Sequence, residues 1–282
     1  MIIDFHNHIF PSFFRDERAT FFPDEPAFRE LYGSASSRLV GRRELIRHMD
    51  EAGVQKAVVF GFPWSKDAHF RRHNDYIIEA VQQHPDRLIG FCCFSPHSPE
   101  AAVEAQRCLE SGLSGIGELA LYGSDITAED ISGLKDVMEV GARFDVPVLF
   151  HCNEPVGHAY PGKAPMTLRQ LYLLLKTYPD NKFVLAHWGG GIFFFGMMKK
   201  EVKEVLKKTW FDTAASPYLY SPNIYRTACE IIGEDRILLG SDYPLLSPMR
   251  YFQEMTAAGL PSRTIQRISG ENAARLLRIS DG

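Results

Sequence analysis

Short apolar runs alternate along this chain with longer stretches whose apolar residues recur every three or four positions. The helical pattern is clearest at 41–53, 75–85, 99–111, 168–179 and 223–235. Eight strand-like runs begin near Ile2, Lys56, Arg87, Gly115, Val146, Lys182, Thr209 and Arg236. Eight alternations, at about one strand–helix unit per 30 residues, predict a (β/α)8 barrel, the TIM barrel of the α/β class, formed by residues 1–282 as one domain.

The first strand and the second begin 54 residues apart, at Ile2 and Lys56, which predicts an insertion in the first βα loop. Residues 9–40 of this loop are rich in aromatic side chains, which argues against disorder. Two interpretations stay open. The aromatic residues either pack over the barrel or form a subunit interface in a homo-oligomer, or they wall an apolar substrate pocket. They are Phe10, Phe13, Phe14, Phe21, Phe22, Phe28 and Tyr32.

Several strand-like runs end in side chains that commonly bind metals. The run IIDFHNH places His6 and His8 on one face of a strand, because side chains alternate with period two. In a barrel, the carboxyl ends of all strands meet at one mouth. We therefore expect a metal centre there, completed by ligands from four other strand ends: Glu118, His151, His187 and Asp242.

Imidazole and carboxylate ligands suit a divalent cation, most simply zinc, with manganese or iron as alternatives. Asp242 is placed to shuttle a proton, and His187 to orient water, polarise a carbonyl or bind a second ion. Glu118 decides between one ion and two. If a second ion were held partly by His151 and His187, Glu118 would bridge it to the first. A two-ion centre would favour an anionic substrate.

Residues in βα loops face the mouth of such a barrel, so they are candidates for the substrate pocket. We predict that Trp64, Trp188 and Tyr243 contact the substrate, since they follow strands two, six and eight. The arginines Arg15, Arg18 and Arg250 are candidates to hold a carboxylate group.

The amino-acid composition limits the classes of partner that this protein is expected to bind. The net charge of −4 is not the basic footprint of a nucleic-acid-binding protein. Five cysteines do not form a recognisable disulfide framework, which indicates a reduced, cytoplasmic protein. No apolar run approaches the roughly 20 residues that span a bilayer, and the first strand leaves no room for a signal peptide. A small-molecule substrate is the expected partner.

Five segments together resemble the amidohydrolase superfamily, and more narrowly the amidohydrolase-related branch that includes aminocarboxymuconate-semialdehyde decarboxylase. The resemblance implies a barrel whose first metal ligands are His6, His8, His151 and Asp242, with His187 as the strand-six histidine. Glu118 departs from the single-metal members and is similar to TatD-type and phosphotriesterase-like relatives with two ions. The matching segments are DFHNHIFP (4–11), VPVLFHCNEP (146–155), KFVLAHWGGG (182–191), RILLGSDYP (236–244) and GENAARLL (270–277).

Three enzymatic functions and one non-enzymatic function follow from this site. The leading expectation is hydrolysis of a small-molecule amide, ester or lactone, in which hydroxide generated at the metal attacks the carbonyl and Asp242 shuttles the proton. The alternatives are decarboxylation of an aromatic or unsaturated carboxylic acid, TatD-like phosphodiester cleavage, and a scaffold that retains the barrel without catalysis.

Overall fold

Eight short parallel strands form one curved sheet in the computed structural model, which describes residues 1–122 and 125–279. Each strand pairs with the next along the chain. The sheet closes where the Phe5 amide donates to the Leu239 carbonyl (2.7 Å) and Asn7 bridges Tyr243. The (β/α)8 barrel is therefore confirmed. The strands are β1 (Ile3–His8), β2 (Lys56–Phe60), β3 (Leu88–Cys92), β4 (Gly115–Leu119), β5 (Pro147–Phe150), β6 (Lys182–Leu185), β7 (Thr209–Asp212) and β8 (Ile237–Leu238).

Helices surround the barrel and fill the loops at its mouth. A 3₁₀ segment, His187–Met197, follows β6, and a π-helical turn, Arg267–Glu271, precedes the last helix. None of the described helices is long and apolar enough to cross a membrane. The α-helices are α1 (Ser12–Asp16), α2 (Pro26–Tyr32), α3 (Arg42–Ala52), α4 (Asp67–Gln83), α5 (Ala101–Glu110), α6 (Ala128–Gly133), α7 (Lys135–Phe144), α8 (Leu168–Thr177), α9 (Lys200–Val205), α10 (Ser216–Leu219), α11 (Asn223–Ile232), α12 (Pro248–Ala257), α13 (Ser262–Gln266) and α14 (Asn272–Leu277).

The predicted elements agree closely with the structure. Every strand begins within one residue of its predicted start. The largest difference is α4, which begins at Asp67 rather than at 75. Its first turns bury the polar residues His73 and Asn74, and this hides the apolar periodicity on which the prediction depended.

Side chains fill the barrel interior, so space for chemistry is confined to the mouth. Phe5 and Phe91 meet edge to face inside the barrel, with ring centroids 5.6 Å apart. Val58, Leu149 and Val184 pack in the same fully buried cluster. Ala273 and Leu276 of α14 join this cluster. The interior is a packed core rather than a pore, as in other barrels of this type.

The inserted first loop packs on the outside of the second βα loop. Phe14 and Phe28 are fully buried, and their ring centroids lie 4.2 and 4.4 Å from that of Trp64. Glu25 of the insertion accepts hydrogen bonds from the backbone amides of Ser65 and Lys66. The aromatic residues of the insertion therefore form mainly a second hydrophobic core. The hydrogen bonds of Glu25 connect the insertion to the chain before α4.

One buried histidine supports this second core. His73 accepts a hydrogen bond at Nδ1 from Trp64 Nε1 (2.8 Å) and donates from Nε2 to the Ile9 carbonyl (2.7 Å). Both ring nitrogens are thus used by the neutral imidazole. Burial lowers the pKa of His73 to about 3, because a charged ring would be unsolvated. Gly61 lies against this ring, since a Cβ there would meet it at 2.7 Å.

We predict that His73 makes the fold sensitive to mild acid. The folded-state pKa lies below the unfolded value of 6.5, so the unfolded chain takes up the proton first and stability falls as the pH drops below that value. Between about pH 7.5 and pH 5 the loss attributable to His73 is about 2 kcal/mol. Urea unfolding of the wild type and of His73→Gln at both pH values measures it, and equal losses in the two proteins would contradict the prediction.

Candidate metal centre

The structure brings the six predicted metal-site residues together at the mouth. None of these side chains is more than 16% exposed, so all six are held in a largely dry environment. Their donor atoms form two clusters that share one carboxylate, that of Glu118. The six residues are His6, His8, Glu118, His151, His187 and Asp242.

The first cluster combines the end of β1 with the chain after β8. His6 Nε2 and His8 Nε2 lie 3.2 Å apart, and Asp242 Oδ1 is 3.5 Å from each of them. Glu118 Oε2 completes the cluster at 3.8 Å from His6 Nε2 and 3.6 Å from His8 Nε2. Donor atoms this close together suit the ligands of a single divalent cation.

The second cluster lies on the other side of Glu118. Its Oε1 atom is 3.0 Å from His151 Nδ1 and 3.7 Å from His187 Nε2. The two oxygens of one carboxylate thus face different pairs of imidazoles. This arrangement gives Glu118 the geometry of a bridging ligand, which the sequence left open.

The hydrogen bonds of the ring nitrogens that point away from the clusters show whether the four histidines suit a metal. In each of the four histidines, the nitrogen directed away from the clusters donates a hydrogen bond to an oxygen, so the inward nitrogen is the one that would give its lone pair to a cation. This tautomer pattern is the one that metal-binding histidines adopt, so the residues fit a divalent cation. The acceptors are Asp212 Oδ2 for His6 (2.8 Å) and the carbonyls of Gly61 for His8 (3.2 Å), Gly162 for His151 (2.9 Å) and Ala214 for His187 (3.0 Å).

Electrostatics also prepare the site for a cation. Burial would raise the pKa of Glu118, but the imidazoles of His6 and His151 hold it at about 2. Burial would lower the pKa of His6, yet the carboxylates of Asp212 and Glu118 raise it to about 10. For Asp242, hydrogen bonding to His8 and the charge of His6 outweigh burial and lower the pKa. The carboxylates are therefore ionised and require positive charge beside them.

Two of the site residues have a strained backbone. His187 and Asp242 have φ angles of +54° and +60°, a left-handed conformation that costs non-glycine residues roughly 1 kcal/mol or more. The glycines after His187 allow the chain to turn here in the same conformation. At Gly190 a Cβ would meet the Asn153 carbonyl oxygen at 2.2 Å, so only glycine fits.

A buried carboxylate, which the sequence pattern did not single out, organises two of the histidines. Asp212 Oδ2 accepts the hydrogen bond from His6, and Oδ1 accepts the backbone amides of His187 (2.9 Å) and Ala214 (3.0 Å). Asp212 is the last residue of β7, so the strand-end criterion that identified Glu118 and the histidines would have found it. Asp4 acts similarly for the other strained residue, since it accepts hydrogen bonds from Ser241, beside Asp242.

The three side chains predicted to contact substrate are packed elsewhere. Trp64 lies in the core formed by the inserted loop, and Trp188 is fully buried with its Nε1 donating to Ser216 Oγ (2.5 Å). Tyr243 stacks on His48 of α3, with ring centroids 4.3 Å apart. The location of these residues in βα loops does not determine the direction in which their rings point. A substrate would reach them only if these contacts were broken.

Other aromatic residues lie closer to the ligands. The Tyr122 ring centroid is 5.1 Å from that of His151, and Phe62 lies parallel to Tyr122 at 6.0 Å. Tyr32, from the inserted loop, meets the edge of Phe62 at 6.0 Å. Burial raises the pKa of Tyr32, and the charges of Asp242 and Glu118 raise it further. The sequence offered no signal for Phe62 and Tyr122, and Tyr32 was one of seven aromatic candidates.

The arginines proposed to hold a carboxylate are engaged away from the ligands. Arg15 pairs with Glu44 (2.8 Å) beside α3. Arg18 donates to the Ser37 carbonyl within the inserted loop (3.0 Å). Arg250 pairs with Glu254 on α12 (3.2 Å) and is 57% exposed. In this structure these three arginines therefore supply no positive charge beside the ligands.

Comparison with known proteins identifies the class. A model of the amidohydrolase family matches residues 3–279, so the chain belongs to that family. It is an enzyme of the amidohydrolase superfamily with a site for a divalent metal. The chain is 24% identical to a 2-amino-3-carboxymuconate-6-semialdehyde decarboxylase of Dictyostelium discoideum, over 84% of this chain and 77% of the relative. It is 27% identical to a gamma-resorcylate decarboxylase of Polaromonas sp., over 71% and 76%.

Solved structures with the same fold include two decarboxylases. A 5-carboxyvanillate decarboxylase from Sphingomonas paucimobilis superposes with a TM-score of 0.77 at 18% identity, over 99% of both chains. A dihydroxybenzoic acid decarboxylase from Polaromonas sp. JS666, with bound manganese and the inhibitor 2-nitroresorcinol, gives a TM-score of 0.71 at 20% identity, over 100% of this chain and 98% of the other. The expectation of hydrolysis is therefore wrong, because these relatives and structural neighbours are decarboxylases. Manganese in the neighbour supports a divalent metal, but not zinc in particular.

We predict that Asp212→Asn weakens metal binding without unfolding the protein. The amide nitrogen cannot accept a hydrogen bond, so either His6 or the amides of His187 and Ala214 lose their acceptor. Loss of such an orienting partner typically lowers metal affinity by about 10- to 100-fold. Calorimetric titration with Mn²⁺ measures the change, and Asp180→Asn, at an exposed aspartate, is the matched control. Equal affinities in the two variants would contradict the orienting role.

Proposed function

We propose that this protein catalyses the metal-dependent decarboxylation of an aromatic carboxylic acid. The observation that carries this proposal is a mouth with ionised carboxylates and imidazoles at its base and the rings of Phe62 and Tyr122 beside them. The chemistry named for the relatives supports it, since the gamma-resorcylate and aminocarboxymuconate-semialdehyde enzymes are decarboxylases.

The metal would be held by the two clusters described above, and we propose manganese because a structural neighbour contains it. When bound, it would supply Lewis acidity that binds the substrate's oxygens and draws electron density from the ring. The rings of Phe62 and Tyr122 would hold the aromatic face. Tyr32, whose phenol stays protonated because its pKa is raised, would donate a hydrogen bond to the substrate.

Decarboxylation requires a proton at the carbon that loses the carboxylate. The bond from the ring to the carboxyl carbon breaks, its electron pair stays on the ring carbon, carbon dioxide leaves and a new carbon–hydrogen bond forms. We propose that Asp242, ionised at rest, takes this proton from the solvent and passes it to the ring carbon through the oxygen that does not face His6 and His8. The imidazole of His187 would orient the substrate beside it.

We also propose that two ions bind, one in each cluster, with Glu118 between them. With Glu118 and Asp242 ionised, one divalent cation gives a net charge of zero, whereas two give +4 − 2 = +2. The second case suits an anionic substrate, because Arg15, Arg18 and Arg250 are engaged elsewhere. Glu118 Oε1 and Oε2 each face their own pair of histidines, which supports the same count.

We expect purified protein loaded with manganese to release carbon dioxide from hydroxylated aromatic acids. Asp242→Asn should lower kcat by at least about 100-fold, since a positioned proton donor contributes that much, while the protein still binds manganese. Product analysis by mass spectrometry and metal analysis by plasma emission provide the two readouts. Hydrolysis of esters or lactones without release of carbon dioxide would contradict the proposal, as would full turnover in Asp242→Asn.

The number of manganese ions bound per chain can be tested separately. We expect two manganese ions per chain in the wild type and one in Glu118→Gln, because the amide cannot bridge two cations. Electron paramagnetic resonance should show an exchange-coupled manganese pair in the wild type and an isolated ion in the variant. A single ion in both proteins would contradict the bridge while leaving decarboxylation open.

A further inference from the structure

A groove of about 570 Å³ lies among the outer helices of the barrel, apart from the metal centre. It is formed by α1 of the inserted loop, the start of α3 and the middle of α4, and its volume is within the range of small-molecule sites. None of the six candidate metal ligands lines it. We call it the arginine groove, because four of its lining residues are arginines: Arg15, Arg42, Arg43 and Arg72.

Carboxylates inside the arginine groove neutralise only two of the four arginines. Arg15 Nη1 lies 2.8 Å from Glu44 Oε1, and Arg42 Nη1 lies 3.1 Å from Glu79 Oε1. These two ion pairs account for two of the three acidic side chains that line the groove.

The other two arginines have no carboxylate partner. Within residues 1–122 and 125–279, no acidic side chain pairs with Arg43 or Arg72. The third acidic side chain of the groove, Asp75, is 2.8 Å from Arg107 of α5, which is not a lining residue. Arg43 and Arg72 therefore present two uncompensated positive charges to a ligand.

An aromatic ring positions the guanidinium of Arg72. Its central carbon lies 3.3 Å from the centroid of the Phe13 ring, which is a cation–π contact. Such a contact restricts the side chain but does not use its N–H groups as donors to an oxygen acceptor. The donors of Arg72 therefore remain available to an anion in the groove.

The start of α3 carries more positive charge than a helix end favours. Arg42 and Arg43 are its first two residues, where the partial positive charge of the helix dipole repels cations. Sequences that oppose a local preference in this way are expected at functional sites. An anion bound in the groove would offset the repulsion.

We propose that the arginine groove binds a small organic phosphate. A phosphate monoester carries about 1.5 to 2 negative charges at pH 7, which match the two charges of Arg43 and Arg72. A single carboxylate would leave one of the two guanidinium groups unpaired. The planar fork of arginine also suits phosphate oxygens, with which it forms paired hydrogen bonds.

The bound phosphate would connect three parts of the structure. Phe13 and Arg15 belong to the inserted loop, Arg43 to α3 and Arg72 to α4. The ligand would therefore hold the inserted loop against the barrel and raise the stability of the folded chain. The evidence for this site lies in the groove alone, so it does not depend on the proposed reaction.

Calorimetric titration of the manganese-loaded protein with phenyl phosphate tests the site. We expect saturable binding in the wild type and an affinity at least about 10-fold lower in Arg43→Gln/Arg72→Gln, because both uncompensated charges are removed. Arg43→Gln alone leaves the contact between Arg72 and Phe13 intact and should weaken binding less than the double variant. Phenyl phosphate should raise the Tm of the wild type more than that of the double variant.

Arg71→Gln/Arg226→Gln is the matched control, since it removes two surface charges that pair with Glu100 and Glu230 outside the groove. This control should retain the affinity of the wild type. Crystals soaked in tungstate, a phosphate mimic with an anomalous signal, locate the anion, and we expect a peak between Arg43 and Arg72.

Three results would overturn the proposal. The first is a double variant, folded as judged by its Tm without ligand, that binds phenyl phosphate as the wild type does. The second is a tungstate peak at the metal centre alone. The third is tighter binding of succinate than of phenyl phosphate, which would assign the groove to dicarboxylates.

Discussion

The structure of the mouth depends on mutual compensation of buried charge. Three carboxylates, those of Glu118, Asp212 and Asp242, lie among imidazoles with little access to water. An ionised carboxylate without a partner would cost several kcal/mol to bury. The neighbouring imidazoles lower the pKa of Glu118 and Asp242, and the carboxylates of Asp212, Glu118 and Asp242 raise the pKa of His6. A divalent cation would supply the positive charge that protonated imidazole supplies in its absence.

The need to compensate buried charge accounts for both the backbone conformations and the histidine hydrogen bonds at the mouth. His187 and Asp242 adopt left-handed backbone conformations, and hydrogen bonds to Asp212 and Asp4 hold the chain beside them. The orienting acceptors of the four histidines come from carbonyls in the loops and from one carboxylate, Asp212. The barrel positions the strand ends to within hydrogen-bonding reach, and the loops select which nitrogen of each ring faces inward.

The sequence predicted the strand ends well because period-two alternation fixes which side chains point into a barrel. His6 and His8 follow from that alternation alone, and Asp212 was missed only because the criterion was not applied to β7. Directions within loops have no comparable period. Trp64 and Tyr243 were therefore predicted at the mouth but pack outward, while Phe62 and Tyr122 lie beside the ligands without a sequence signal.

Function was harder to predict than the site, because the same ligands serve hydrolysis and decarboxylation. Anomalous diffraction at the manganese edge tests most directly whether metal ions bind among these ligands. The account predicts one peak among His6, His8 and Asp242 and a second beside His151 and His187, on either side of the Glu118 carboxylate. Crystals grown with manganese that show no peak at the mouth would contradict it.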